Sequence, residues 1–315
     1  MYFPYLRGRK YELLALRELV NKDLIGRKVI PIIEPIDPTP TLKKTLDAFI
    51  VAEKDIAVII NPTVGDFVKK IKPLRKKEME DKKDGVASLI IHNINNEQII
   101  RAYIMNNSIS KRICKKEDKG KYLIINSKRD CLDAFFDAYE STFPKYTLIP
   151  NERVFKKGIK GSKIFFKDNF TKQARNVDYI LEQDEFFSDI HLYYKDEGFE
   201  GFSDYSIVGE EFAKSGFSPY AVVIHIVYFD NKKELRIRHF VSDSNEDAND
   251  PAGKFGEALA KLINWCDKKS ITKTEGLKGF YEYHNSGKFP GLGVVKKLSI
   301  MHHIELMDKF LEGNL

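Results

Sequence analysis

Short β-branched apolar runs, each closed by a polar residue and often followed by a helical stretch, recur along this chain about eight times. The clearest are VIPIIEP (29–35), IAVIINP (56–62), SLIIHN (88–93), YLIIN (122–126), TLIPNE (147–152) and KIFFKD (163–168). This rhythm predicts a (β/α) barrel. In such a barrel the carboxyl ends of the strands converge on one face, so Glu34, Asn61, His92, Asn126, Glu152 and Asp168 would line a common mouth.

The intervening segments carry helical spacing. Leu13, Leu16 and Val20 form one apolar stripe ahead of the first run, and Leu42, Leu46, Phe49 and Ile50 form another after it. The same spacing is read in Ile99, Ile100, Tyr103 and Ile104, then in Leu132, Phe135, Phe136 and Tyr139. Strands alternating with helices imply parallel pairing. Beyond Asp168 the rhythm weakens: QARNVDYI (173–180) looks helical, and EFFSDIHLYY (185–194) fits either element. Residues 202–208 and 220–229 are the expected seventh and eighth strands. Asp230 and Asn231 then turn the chain into an antiparallel return strand, LRIRHFVSD (235–243), and from Pro251 onward the pattern is helical. The expected architecture is a (β/α)8 TIM-barrel-like domain over residues 1–230, with a β-hairpin and helical segment over 231–315 packed on it.

With 315 residues, 43% hydrophobic and 31% charged, the chain has the composition of an ordinary soluble protein with a sizeable core. Apolar runs fall short of a membrane span and the start lacks signal-peptide order, so a cytoplasmic protein without a membrane partner is expected. Cys114, Cys131 and Cys266 show no CxxC spacing, which argues against a disulfide framework or a cysteine zinc site. The net charge of +6 is concentrated: residues 69–83 hold eight Lys or Arg and residues 111–121 hold six. Such runs attract nucleic-acid phosphates, although they also serve as solvated loops.

Several side chains suit chemistry. GFSDY (201–205) sets Asp204 between aromatic residues, as a metal ligand, a base or a turn cap. His225 interrupts an apolar strand, and His239 and Asp243 lie four residues apart, on one face if the strand continues. With Asp168 and Asp204 they would make a mixed oxygen and nitrogen site for a divalent metal ion, although a hydrogen-bonded core histidine is the plainer reading of His225. HNSGKFPGLGVVKKLSIMHHIEL (284–306) is a glycine-rich loop running into a basic helix, so Lys288, Lys296 and Lys297 are candidates for holding an anion. His302 and Glu305 share a helix face, where a surface ion pair is expected. Arg7, Lys10 and Lys254, with Glu34, Asn61 and His92 at the mouth, complete the ligand-binding candidates. A Walker loop, a GxGxxG fingerprint, a nucleophile elbow and a Ser-His-Asp order are all missing, against the common hydrolases and dinucleotide enzymes.

The opening YFPYLRGRKYELLALREL followed by VIPIIEP resembles the bacterial and phage family named after the beta protein of a T-even phage. RNVDY (175–179), GFSDY, AVVIHIVY, HFVSD, DPAGKF (250–255), FPGLG (289–293) and SIMHHIEL (299–306) extend the resemblance over nearly the whole chain. It supplies no catalytic residues to carry over. What it implies is a setting: a bacterial branch encoded beside restriction-like nuclease proteins, hence a role in defence against phage or other mobile DNA with a nuclease-like partner.

The leading expectation is therefore a defence component that binds nucleic acid or a nucleotide at the barrel mouth or at the basic glycine-rich loop. A self-sufficient metal-dependent phosphodiester hydrolase using Asp168, Asp204, His225, His239 and Asp243 is the alternative. A non-catalytic inhibitor of the partner is the third.

Overall fold

A computed structural model describes residues 1–213 and 219–315. Its strands, in chain order, are β1 (Tyr2–Leu6), β2 (Ile32–Ile33), β3 (Ile56–Ile59), β4 (Ile99–Ile104), β5 (Leu123–Ile125), β6 (Tyr146–Ile149), β7 (Lys163–Phe166), β8 (Asp184–Ser188), β9 (Gly201–Asp204), β10 (Val223–Phe229) and β11 (Leu235–Val241). Strands β1 to β7 and β9 close into an eight-stranded parallel barrel with helices alternating between strands, a (β/α)8 architecture. Strands β10, β11 and β8, in that order, form a separate antiparallel sheet. Among the described residues no helix is long and apolar enough to cross a membrane.

The chain packs as two compact units. The first comprises Met1–Asp168 and Tyr193–Tyr205; the second comprises Asn169–Leu192 and Ser206–Leu315. The expected boundary at residue 230 falls inside the second.

Alternation along each strand decides what fills the barrel. Phe3 and Tyr5, Ile30 and Ile32, Ala57 and Ile59, Ile100 and Ala102, Leu123 and Ile125, Leu148, Ile164 and Phe166 point inward and form one buried cluster with Tyr205. The seam between β9 and β1 is tight. A Cβ on Gly201 would lie 2.6 Å from the carbonyl oxygen of Met1, so only glycine lets these two strands pair.

Two expected elements exchange places. SLIIHN lies in the helix Val86–Ile94, whereas IIRAYI, read as helical, is β4. Both are short apolar runs, and a strand buried on both faces loses the alternation that would identify it. The helix is also fixed from outside its own sequence, because the Glu78 carboxylate accepts the Ala87 and Ser88 backbone N–H groups at 2.9 and 2.8 Å. The opening residues 2–6, unassigned from sequence, supply β1. The expected eighth barrel strand, residues 220–229, instead supplies β10, and β9 closes the barrel. EFFSDIHLYY proves to be both elements, β8 followed by the short helix Ile190–Tyr193.

In the second unit the three-stranded sheet packs with the helices Pro251–Lys268, Glu275–Ser286 and Leu292–Leu311. The last of these is buried on all sides through its middle, from Leu298 to Met307. The surface ion pair expected at His302 and Glu305 is corrected accordingly. His302 is enclosed, its ring nitrogens bonded to the Thr274 hydroxyl at 2.7 Å and the Val227 carbonyl at 2.8 Å. Glu305 accepts the Glu275 backbone N–H at 2.7 Å.

Candidate functional site

The barrel mouth is organised around Glu34. It follows β2 on the inward parity of Ile30 and Ile32 and is fully buried. The Tyr5 hydroxyl donates to Oε2 at 2.7 Å, and the backbone N–H and hydroxyl of Thr63 donate to Oε1 at 2.7 and 2.9 Å. The Arg7 guanidinium also bonds Oε2 and stands 4.9 Å from the ring centre of Tyr205. Burial, then the charge of Glu34, pushes the Tyr5 phenol well above its usual range. Both carboxylate oxygens are thus engaged, so this cluster holds the strand ends together rather than presenting a free acid.

The other mouth candidates disperse. Asn61 bridges to the Ile104 backbone, accepting its N–H at 3.0 Å and donating to its carbonyl at 2.8 Å. Asp168 keeps the inward parity of Ile164 and Phe166. Asn126 has the outward parity, since Leu123 and Ile125 face in; it is buried, with neither amide atom hydrogen-bonded. Glu152 is past its strand and pairs with Arg129 at 2.7 Å. His92 is exposed on a helix, so it is not a strand-end residue. Lys10 is exposed, its ammonium 5.7 Å from the ring centre of Tyr11. Asp204 also takes the outward parity. It is buried and accepts the Tyr2 hydroxyl at 2.9 Å.

The second unit assembles a different group. His225 on β10 and His239 on β11 are directly opposed in the ladder, with their Nδ1 atoms 2.7 Å apart. His239 Nε2 is 3.1 Å from Oε1 of Glu185 on β8. Three strands therefore set a carboxylate and two imidazoles in series. Phe170 and Tyr179 close on them, with ring centres 5.1 and 4.8 Å from His225. Burial, then the proximity of His239 and Lys296, holds His225 well below the ordinary histidine range; burial also lowers His239, against the pull of Glu185.

Proton positions follow from the series. An ionised Glu185 only accepts, so His239 carries its proton on Nε2 and offers Nδ1 as acceptor. His225 then donates from Nδ1, leaving Nε2 with a lone pair. His225 lines a cavity of about 250 Å³, and its Nε2 has no hydrogen bond to any described residue. Lys172 and Lys296 share that lining with the amides Gln173 and Asn176, the rings of Phe170 and Tyr179, and the apolar Ile207, Val222, Val223, Leu292 and Val295. Asn176 spends Nδ2 on the Ala221 carbonyl at 2.8 Å. Apolar walls with a few convergent polar groups are the usual make-up of a small-molecule site.

A roomier hollow of about 640 Å³, lined by Cys266, Lys273 and Tyr281 among others, offers less chemistry. Burial pushes the Cys266 thiol up to about 12, so it is not a nucleophile, and Tyr281 donates to Asp267 at 2.7 Å.

Of the five residues expected to act together, only His225 and His239 are shown in contact. Asp168 and Asp204 belong to the barrel unit. Asp243 lies beyond the end of β11, largely exposed and paired with Lys261 at 2.7 Å, so it does not share a strand face with His239. Among the described residues no group of three His, Cys, Asp or Glu side chains is placed to hold a metal ion. Lys254 is buried and ties its ammonium to the Asp247 carbonyl at 2.5 Å, closing the loop of residues 243–250, and Lys288 lines a separate groove beside Phe289. Lys296 reaches the histidine cavity; Lys297, its neighbour, is not in the lining. Sequence reasoning missed Glu185, Lys172, Asn176 and Tyr179. The alternation in EFFSD was the available signal, since it sets Glu185 and Phe187 on one face and Phe186 on the other. No family model, curated protein or solved structure matches the chain.

Proposed function

We propose that this chain is the ligand-binding component of a bacterial defence assembly, acting with a nuclease-like partner, and that it takes a nucleotide or nucleic-acid end in the His225 cavity. The observation that carries the ligand is the lining itself. Lys296 supplies positive charge, with Lys172 beside it paired to Glu211 at 2.8 Å; Phe170 and Tyr179 supply flat apolar surface, and the Gln173 amide and the Asn176 carbonyl oxygen are able to read a base edge. A volume of about 250 Å³ suits one nucleotide better than a long polymer. Lys296 also lies in the second turn of the helix Leu292–Leu311 that follows the glycine-rich loop, the segment in which an anion is expected from sequence. The defence setting and the partner rest on the family resemblance.

Isothermal titration with nucleoside monophosphates, the matching nucleosides and inorganic phosphate tests the ligand. Nucleotides are expected to bind more tightly than nucleosides, and Lys296→Ala to weaken them about tenfold, the value of one modest charge interaction. Absence of binding by every nucleotide, or equal binding by Lys296→Ala, overturns the ligand reading. Co-purification with the neighbouring nuclease-like protein tests the partner separately.

A further inference from the structure

We propose that His225 is the general base of a hydrolytic site, its Nε2 taking a proton from a water that attacks the phosphorus of a phosphate ester held in the cavity. The inference rests on the ligand reading above and adds a reaction to it.

The argument begins with tautomers. An isolated imidazole places its proton on either nitrogen, and only the Nδ1–H form leaves Nε2 free to accept one. Here Glu185 Oε1 fixes the proton of His239 on Nε2 at 3.1 Å, and His239 Nδ1 then fixes the proton of His225 on Nδ1 at 2.7 Å. The carboxylate thus selects the basic form of a ring it does not touch. A carboxylate orienting a histidine is the logic of hydrolase triads, recognised by geometry and role. A purely structural ladder would need neither an unbonded terminal nitrogen nor a cationic cavity wall. Here both are found: Nε2 bonds no described residue, and His225 shares the lining with Lys296, and with Lys172 in its pair with Glu211.

The step balances within these groups. As the water oxygen bonds to phosphorus, one of its protons moves to His225 Nε2. The bond from phosphorus to the ester oxygen breaks with its electron pair on the departing oxygen, and that alkoxide recovers the proton from His225 through water. The products are an alcohol and the hydrolysed phosphate. The positive charge held meanwhile on His225 is stabilised by the carboxylate at the far end of the series. Lys296 offsets charge on the non-bridging oxygens. His225 is the catalytic residue in this scheme; His239 and Glu185 are positioning residues.

The test is turnover of p-nitrophenyl phosphate, bis(p-nitrophenyl) phosphate and nucleoside monophosphates by the full chain, measured alongside nucleotide binding. Wild type is expected to turn over at least one of them. His225→Gln should lose about a hundredfold or more in kcat while still binding nucleotide. Glu185→Gln, which preserves the hydrogen bond but not the charge, should lower kcat with KM unchanged and move the acid limb of the pH–rate profile to lower pH. Should His225→Gln not fold, Glu185→Gln carries the test. Wild type that binds nucleotide but hydrolyses none of these esters overturns the catalytic proposal and leaves the binding reading standing. Full kcat in His225→Gln, or in Glu185→Gln, overturns the base or its relay respectively. Failure to bind nucleotide removes both readings.

Discussion

His225 and His239 stand directly opposite one another in the β10–β11 ladder and meet through their Nδ1 atoms at 2.7 Å. One proton between two nitrogens satisfies both rings, whereas two would set donor against donor and leave His239 cationic in a site closed by Phe170 and Tyr179. The pair is therefore neutral near pH 7, and the same holds for other histidines of the second unit. Burial lowers His302 to about 4 and His303 to about 3, and it also lowers His191.

These shifts set an acid dependence. Each folded histidine binds its proton at lower pH than the unfolded one, near 6.5, so the stabilisation is complete above that value and is lost as pH falls below it. For His302 the full loss, reached near pH 4, is about 3 kcal/mol. Hydrogen exchange at pH 7 and pH 5 should show β10, β11 and the helix Leu292–Leu311 losing protection well before β1 to β7. Uniform loss across both units would contradict this.

Arg7 and Glu34 form the buried ion pair of the barrel mouth. Removing one partner leaves a buried charge without compensation, so Arg7→Ala should cost about 3–5 kcal/mol in urea unfolding. Arg7→Met combined with Glu34→Gln should cost clearly less than the sum of the single changes, because no orphaned charge remains. Simple additivity in that double-mutant cycle would show the two side chains to be energetically independent.

Two glycines should respond with opposite sign. Gly201→Ala drives a methyl into the Met1 carbonyl at the β9–β1 seam and should destabilise by about 1–3 kcal/mol. Gly256 lies within the helix Pro251–Lys268 with open space where its Cβ would be, so Gly256→Ala should stabilise by up to about 1 kcal/mol. Thermal unfolding of the two variants measures the contrast directly.

Thiol reactivity should follow exposure. Cys114 is exposed, whereas Cys266 is buried with its thiol pushed up to about 12. A thiol reagent at pH 8 should modify Cys114 first and leave Cys266 untouched until the protein unfolds. Early modification of Cys266 would mean that the second unit opens readily.

The barrel was legible because its strands end in polar residues at regular intervals, and this survived the local exchange of SLIIHN with IIRAYI. What the sequence concealed depends on contacts between distant residues. Glu185 and His239 are fifty-four positions apart, and only the pairing of β8 with β11 brings them together. His225 and His239 were visible individually, as polar interruptions of apolar strands. Their tautomers were not, since those are set by a carboxylate that sequence reading had no reason to single out. Asp204 shows the converse: its place between aromatic residues suggested a metal ligand or a base, but strand parity turns its carboxylate outward to Tyr2.

Residues 169–192 belong to the second unit, yet they lie between β7 and β9 of the barrel. A ribosome therefore releases β8 long before its partner β11 exists, and β8 must wait through the closing strand of the barrel before it can pair. The same interleaving constrains inheritance. No single recombination crossover or proteolytic nick can deliver either unit whole, so the barrel and the histidine-bearing unit are bound to travel, and to be lost, together.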